Sequence, residues 1–235
     1  MKIAALLTGK GGSTLKNKNI LLVLGKPLLF YPALAAKKSK YISNFYVSSE
    51  NEKILNVAGQ LGYHKIIRPT ELAKPDALHK DAILHALKII QKHQISPDIL
   101  VVLLANSASI CTKWIDKCIE QIINDNSISA VVPVSEDTDH HPFRAKRITS
   151  TGFLKPFFDF SGKNISTNRQ DLEKSYFLCH NFWVLNVKNS IYQKNGQPPW
   201  DFMGNKIKPY LIKECPDVHK KEDLRLTEEW LKKNT

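Results

Sequence analysis

The chain has 235 residues, 43% hydrophobic and 24% charged, with a formal net charge of +12. This length and composition are typical of a globular protein with its own core, which excludes a disordered or fibrous chain. A basic chain can bind nucleic acid, an anionic membrane face or small anionic substrates, but the lysines here are scattered in short doublets, which favours a solvated surface over a nucleic-acid interface.

Strand-like and helix-like patterns alternate over the first 135 residues. Apolar runs predict strands at 2–8, 44–49, 98–104 and 129–135. Apolar residues at helical spacing predict helices over 27–38, from about Glu50, from Asp76 and over 114–123. The run at 98–104 is apolar on both faces, as expected in the centre of a parallel sheet. The order predicts an α/β fold with a doubly wound, mostly parallel sheet and helices on both faces.

The segment 136–180 interrupts this alternation. It is rich in His, Pro, Phe, Arg and Asn, and we expect it to be an inserted arm within a single domain that spans residues 1–235. Apolar residues at 182–187 predict a return to the sheet, and residues 222–233 predict a closing helix.

A loop rich in glycine and lysine follows the first predicted strand. Its sequence, from Thr8 to Ile20, is TGKGGSTLKNKNI. In a doubly wound sheet, ligands bind at the carboxyl ends of the strands, where this loop begins. We expect the backbone N–H groups of Gly11, Gly12 and Ser13 to bind phosphate, because glycine permits the close approach that such a site needs.

The loop differs from the P-loop of ATPases, which is Gly-x-x-x-x-Gly-Lys-Ser/Thr followed directly by a helix. A lysine-first variant of the P-loop is closer, but Leu15 precedes Lys16 where glycine is needed. Asn17 follows Lys16 where a magnesium-binding Ser or Thr is needed, and the apolar segment NILLVLGKP follows in place of a helix. These differences argue against an ATPase.

Six segments, in order, resemble the cytidylyltransferases that activate nine-carbon acidic sugars, the CMP-sialate synthetase family. They are KGGS…KNKNI…LGKPLL, FYVSSENEKI (45–54), RPTELA (68–73), HHP (140–142), NRQ (168–170) and DVHKKED (217–223). The resemblance covers nearly the whole chain. It implies transfer of CMP from CTP to an anionic acceptor, a nonulosonic or related 2-keto acid sugar, with release of pyrophosphate and with Mg²⁺ or Mn²⁺ as cofactor.

On the nucleotide side, the resemblance implies that Lys18 is the catalytic lysine, and Lys10 and Lys16 are further catalytic candidates. It places Asn19 near the nucleotide and Arg68 near the cytosine. The alternatives are a solvated surface position for the lysines and a loop-bracing position for Arg68.

On the acceptor side, Arg144 and Arg169 match basic positions that bind the sugar carboxylate in the family, a task that suits the forked guanidinium. His180 and Asn181 stand where the family has Asn-Gly, and Ala105 stands where it has glutamine. These departures leave two interpretations open. Either the acceptor has changed, for example to a phosphonate, or these residues only pack in the core.

At the end of the chain, Asp217 matches the first of two aspartates that hold the metal in the family, and His219 replaces the second. Mg²⁺ prefers oxygen ligands, and a neutral imidazole binds it poorly. His219 is therefore a metal ligand, a general base or neither, and a non-catalytic nucleotide-sugar-binding protein remains an alternative.

The sequence also bears on location and partners. The four cysteines, at 111, 118, 179 and 215, form no Cys-x-x-Cys pair, so we expect reduced and packed thiols. No segment approaches the ~20 apolar residues of a membrane span, and the N-terminus lacks the apolar core of a signal peptide. We therefore expect a cytoplasmic protein without nucleic-acid partners. The resemblance adds a homodimer in which the arm crosses to the partner subunit.

Overall fold

The computed structural model describes residues 1–12, 15–137, 139–162 and 164–234. Its strands are β1 (Ile3–Thr8), β2 (Leu22–Val23), β3 (Lys26–Pro27), β4 (Asn44–Ser49), β5 (His64–Ile67), β6 (Ile99–Leu104), β7 (Ala130–Glu136), β8 (Lys146–Ile148), β9 (Leu154–Pro156), β10 (Tyr176–Leu178), β11 (Phe182–Asn186) and β12 (Ile207–Leu211). Its helices are α1 (Phe30–Lys37), α2 (Glu52–Gln60), α3 (His79–Lys92), α4 (Thr112–Asn124) and α5 (Asp223–Asn234). Within the described ranges, no helix combines the length and the apolar composition needed to cross a bilayer.

One mixed sheet organises the chain. Its strand order is β10-β7-β11-β6-β1-β4-β5, and β12 also pairs with β7. The centre is parallel: β1 pairs in parallel with β4 and β6, and β4 pairs in parallel with β5. In contrast, β11 runs antiparallel to β6 and β7, and β10 runs antiparallel to β7. The predicted α/β fold with a mostly parallel sheet is confirmed.

Each face of the central strand packs against its own layer of helices. Ile3, Ala5 and Leu7 of β1 belong to a core formed with α1, α2 and α4. Ala4 and Leu6 belong to a core on the other face, formed with α3. Alternate side chains of a strand point to opposite faces, so covering both faces requires a continuous apolar run. This explains why Ile3–Leu7 contains only apolar residues and why all of them are buried.

A third cluster joins α5 to the segment that follows the glycine- and lysine-rich loop. Val23 and Leu28 pack there with Val218, Trp230 and Leu231. The chain end is therefore packed beside the opening loop, which brings residues before α5 close to the carboxyl end of β1.

The segment 136–180 contains a small hairpin and a strand of the main sheet. The hairpin is formed by β8 and β9, and β10 rejoins the sheet beside β7. Its large apolar side chains are unusually exposed: Ile148 is 75% exposed, Phe153 71%, Leu154 69% and Phe157 58%. The hairpin lies outside the three core clusters.

Several predicted boundaries are wrong. The helix expected over 27–38 begins only at Phe30, because Lys26–Pro27 pairs with β2. The helix expected from Glu50 begins at Glu52, since the Asn51 side chain accepts hydrogen bonds from the second and third residues of the helix. The helix expected from Asp76 begins at His79. The sequence analysis also missed β5 and β12, which are short and largely exposed.

The expectation of reduced thiols is wrong for two of the four cysteines. Cys179 and Cys215 form a disulfide, whereas Cys111 and Cys118 are free. The bonded pair is separated by 36 residues in sequence, and the fold brings the two Cα atoms to 6.2 Å. Such a pairing depends on tertiary structure, so cysteine spacing alone carries no signal for it.

Shortening a side chain on the buried face of α4 should destabilise the fold. Ile119 is fully buried against the sheet, so Ile119→Ala should lower the free energy of unfolding by about 2–5 kcal/mol, through lost burial and the cavity left behind. Ile123 lies on the same helix and is 40% exposed, so Ile123→Ala should lower it by less than about 1 kcal/mol. Urea denaturation measures both, and equal losses would contradict this orientation of α4.

Candidate functional site

A pocket of about 210 Å³ opens where β1 and β6 end and α3 begins. Thr8 is the last residue of β1, Leu104 is the last of β6, and His79 is the first of α3; all three line it. The pocket lies at the carboxyl end of the parallel strands, where the fold class predicts a ligand.

The lining divides into a cationic part and an apolar part. Four lining residues are cations, Lys10, Lys18, Arg68 and Lys74, and no Asp or Glu lines the pocket among the described residues. An apolar wall faces the same space, formed by Leu72, Ala77, Leu78, Ala82 and Leu104. This combination suits a ligand with an anionic end and a flat apolar end, because each part gains from a different surface.

Hydrogen bonds from neighbouring strands hold the opening loop. The Gly9 N–H donates to the Ser48 carbonyl at 3.3 Å. The Gly11 N–H donates to Glu50 Oε1 at 2.6 Å, and Asn19 Nδ2 donates to the Lys10 carbonyl at 3.0 Å. Asn19 is 4% exposed and lines the pocket, and its side chain also braces the loop at Lys10.

The predicted phosphate cradle is partly described. A carboxylate oxygen of Glu50 accepts from the Gly11 N–H, which shows that this backbone donor can bind an anionic oxygen. Gly12 is exposed, and a Cβ built there meets nothing within 4 Å. Ser13 lies outside the described residues. Sequence analysis missed Glu50, whose only signal was an acidic residue directly after a predicted strand.

Lys18 lies in a short 3₁₀ helix, directly after Asn17, whose φ of 55° is left-handed. Partial burial lowers the pKa of Lys18; the negative charge of Asp217 opposes that shift, and the positive charge of Lys10 adds to it. Lys10 and Asp217 therefore both lie close enough to act electrostatically on Lys18. Lys16 is exposed and does not line the pocket.

Arg68 is 5% exposed, lines the pocket and is hydrogen-bonded to the end of β4. Its Nη2 donates to the Ser48 carbonyl at 2.7 Å, and its Nε donates to the Ser48 hydroxyl at 3.2 Å. Burial lowers the pKa of Arg68, and the charge of Glu50 opposes that shift. Arg68 therefore braces the end of β4 while its charge faces the pocket.

His79 is a pocket residue that sequence analysis missed. The Thr8 hydroxyl donates to the Leu103 carbonyl at 3.2 Å, so its oxygen is left to accept from His79 Nε2 at 3.0 Å. This assignment places the ring proton on Nε2. The ring also packs on Trp183, with 5.3 Å between ring centroids. Burial lowers the pKa of His79 to about 4, and the positive charges of Arg68 and His180 add to that shift.

A second group of side chains lies beside the pocket. His219 Nε2 lies 2.7 Å from Asp217 Oδ2. Burial lowers the pKa of His180; Asp217 opposes that shift, and His219 adds to it. The His180 ring packs against Trp183 and Trp200. The predicted metal residues and one predicted acceptor residue therefore lie together, near Lys18.

Four other predicted acceptor residues lie elsewhere. Ala105 is fully buried, and its Cβ lies under Gly9, whose own Cβ would come within 3.0 Å of it. Asn181 is also fully buried: its Nδ2 donates to the Ser109 carbonyl, and its Oδ1 accepts from the Phe182 N–H. Arg144 and Arg169 are exposed on the arm, where Arg169 pairs with Asp139. The structure does not bring these four residues to the pocket lining.

Comparisons with known proteins point to one family. The family model described as "Cytidylyltransferase" matches residues 6–198. The N-acylneuraminate cytidylyltransferase of Escherichia coli O18:K1:H7 is 35% identical over 94 residues, 40% of this chain and 22% of the relative. The CMP-N,N'-diacetyllegionaminic acid synthase of Legionella pneumophila is 26% identical over 100% of this chain and 98% of the relative. The chain spans less than half the length of the first curated relatives that it matches.

A solved structure of a CMP:2-keto-3-deoxy-manno-octonic acid synthetase complexed with CTP has the same fold. It superposes with a TM-score of 0.71 and covers 100% of both chains at 11% sequence identity. An identity this low supports the fold alone.

Acidification should destabilise the protein through His79. The folded pKa is about 4, below the ~6.5 of an unfolded histidine, so the unfolded chain takes up the proton first. The stability that the neutral ring contributes is complete above about pH 6.5 and is lost as pH falls towards 4, by about 2–3 kcal/mol. In urea denaturation at several pH values, His79→Gln should lose less stability over this range, whereas exposed His64→Gln should follow the unmodified protein. An equal loss of stability with falling pH in the unmodified protein and in both variants would contradict the lowered pKa of His79.

Proposed function

Because the chain belongs to the cytidylyltransferase family, we propose that it transfers CMP from CTP to an anionic acceptor, a nonulosonic or related 2-keto acid sugar, and releases pyrophosphate. The single observation that carries this proposal is the pocket that joins four cations, with no carboxylate among its described lining residues, to an apolar wall at the end of β1. The relatives suggest the acceptor class, since they are an N-acylneuraminate cytidylyltransferase, a CMP-N,N'-diacetyllegionaminic acid synthase and a CMP:2-keto-3-deoxy-manno-octonic acid synthetase.

CTP suits the two parts of the pocket. Lys10 and Lys18 would neutralise the triphosphate, and the Gly11 N–H would add a backbone donor once the Glu50 carboxylate gives way. The cytosine would lie on the apolar wall near Leu72 and Leu78, with Arg68 beside it. This orientation points the α-phosphate towards Asp217 and His180, where an acceptor can approach.

The chemistry is attack of an acceptor hydroxyl oxygen on the α-phosphorus, with pyrophosphate leaving on the opposite side. Negative charge grows on the leaving pyrophosphate in the transition state. The Lys18 ammonium, held by a rigid turn in a partly buried site, would stabilise that charge without reorganisation. Lys10 lies in the same field and would share the task.

The residues present fit a magnesium or manganese ion. Magnesium in nucleotide sites is held by one or two carboxylates together with substrate phosphates, and Asp217 is a carboxylate whose side chain is 23% exposed beside Lys18. Asp217 would hold the ion, and His219 would orient the Asp217 carboxylate through the bond at Oδ2. When bound, such an ion polarises phosphoryl oxygens and offsets their charge.

We further propose that the protein acts as a homodimer. The hairpin of the arm exposes Ile148, Phe153 and Leu154, an apolar surface that a second subunit would cover. Contact through this surface would bring Arg144 and Arg169 to the acceptor of the partner subunit, which is consistent with their distance from the pocket within one chain. We place the reaction in the cytoplasm, where cells hold the CTP that it consumes.

A second candidate function is a nucleotide-sugar-binding protein without turnover. It is favoured by His219 in place of a second carboxylate. It predicts CTP binding with no pyrophosphate release for any 2-keto acid sugar or phosphonate acceptor.

Removing the Lys18 ammonium should abolish most turnover. With CTP, Mg²⁺ and a panel of 2-keto acid sugars, Lys18→Ala should lower kcat by about 100-fold or more, as the loss of a charge-stabilising donor does. Exposed Lys38 lies outside the pocket lining, so Lys38→Ala should keep kcat within about twofold. Pyrophosphate release gives the rates, and unfolding curves check stability. Turnover that survives in Lys18→Ala would refute its catalytic role.

A side chain at Gly11 should weaken CTP binding. Its Cβ would lie 2.9 Å from the Asn51 Cβ and closer still to the Asn51 amide, so the loop or the start of α2 must move. We expect Gly11→Ala to raise the Kd for CTP by about tenfold, equivalent to roughly 1.4 kcal/mol, by calorimetry. Asn51→Gly removes every Asn51 side-chain atom that the new Cβ would meet, and glycine is tolerated as a helix cap, so Gly11→Ala with Asn51→Gly should recover most of the affinity. A double variant as weak as Gly11→Ala would contradict this cause.

A further inference from the structure

The connection between β12 and α5, residues 212–222, carries Asp217 and His219. It contains no helix or strand. A chain segment of this kind has little intrinsic rigidity, so contacts with the rest of the fold must define the position of Asp217.

One set of contacts comes from the segment 105–111. The Ser109 hydroxyl donates to the Pro216 carbonyl at 2.6 Å. The Val218 N–H donates to the Asn106 carbonyl at 3.0 Å, and Asn106 Nδ2 donates to the Val218 carbonyl at 3.3 Å. Val218 is fully buried as well. The residues on either side of Asp217 are thus anchored, although each hydrogen bond alone contributes only about 1 kcal/mol.

The other contact is covalent. Cys215, two residues before Asp217, is bonded to Cys179, which directly precedes His180. Cys179 is 2% exposed, and its N–H donates to the Pro133 carbonyl of β7 at 2.9 Å. The disulfide therefore ties the irregular connection to β7 of the main sheet, directly before His180.

We propose that the Cys179–Cys215 disulfide is a positioning bond for the site: when formed, it holds Asp217 in place opposite Lys18, and when reduced, it lets the connection loosen. The catalytic consequence of this bond rests on the proposed function, whereas its effect on the position of Asp217 does not. The two cysteines are positioning residues, because neither lines the pocket.

Reduction is a simple exchange that a dithiol can perform. A dithiol thiolate attacks one sulfur, the S–S bond breaks, and the second dithiol sulfur completes its own disulfide; Cys179 and Cys215 accept two electrons and two protons. Burial raises the pKa of the Cys111 and Cys118 thiols, which keeps them protonated and out of this exchange. In a reducing compartment disulfides are typically transient or redox-sensing. The bond would therefore make the position of Asp217 depend on the thiol–disulfide redox potential of the compartment.

The experiment compares the oxidised 235-residue protein, the same protein after dithiothreitol, Cys215→Ser, and the double variant Cys179→Ser with Cys215→Ser. Thiol titration after denaturation should find two thiols before reduction and four after it, because two of the four cysteines are bonded. Finding four thiols in the oxidised sample would overturn the proposal.

Two readouts then isolate positioning from general stability. Hydrogen exchange should accelerate in residues 212–222 on reduction or in Cys215→Ser. Mn²⁺ affinity in the presence of CTP, measured by electron paramagnetic resonance, should fall by about tenfold, the size expected when a residue that orients a metal ligand is lost. CTP affinity without metal should stay within about twofold. Dithiothreitol should change nothing in the double variant.

A lower unfolding midpoint with unchanged exchange and unchanged Mn²⁺ affinity would show a merely stabilising bond and overturn the proposal. Neither readout needs an acceptor, so the result is distinct from the fate of the proposed function. Pyrophosphate release absent with every acceptor, but exchange and Mn²⁺ affinity responding as expected, would refute catalysis and leave the positioning bond supported.

Discussion

The site depends on holding several positive charges together at the end of one strand. Lys10, Lys18 and Arg68 line the same pocket, and Lys10 pushes the pKa of Lys18 down. Nearby carboxylates make such a cluster tolerable. The negative charge of Glu50 raises the pKa of Arg68, and that of Asp217 raises the pKa of Lys18, each against the effect of burial. The carboxylates offset the repulsion from outside the lining, so the pocket itself stays cationic towards a ligand.

The same groups also determine the shape of the loop. Glu50 accepts from the Gly11 N–H, Asn19 holds the Lys10 carbonyl, and the Ser48 carbonyl accepts from both Gly9 and Arg68. These are bonds between strand ends and loops, where backbone groups are not used by the sheet. Since buried polar groups are costly when unpaired, this network favours one arrangement of the loop. The backbone that carries the cationic side chains is therefore positioned before any ligand binds.

The side of the site proposed for the acceptor is built differently, from segments far apart in sequence. The segment 105–111 supports the connection that carries Asp217, and the Cys179–Cys215 bond ties that connection to β7 of the main sheet. Ala105 and Asn181, predicted from the family resemblance as acceptor residues, are buried beneath this assembly. The geometry of this side therefore comes from packing and backbone hydrogen bonds more than from exposed side chains.

The sequence by itself determined the alternation of strands and helices, the loop after β1 and the pocket positions of Lys18, Lys10 and Arg68. The alternation follows from local periodicity, the three cationic positions were expected from the motifs that resemble the family, and parallel strands bring their carboxyl ends together once the fold class is known. Only the tertiary structure decided the antiparallel β11, the Cys179–Cys215 pair, the bond from Gly11 to Glu50 and the pairing of Thr8 with His79. Each joins residues from distant parts of the chain, and a contact across such a separation leaves no periodic or local trace from which it could be predicted.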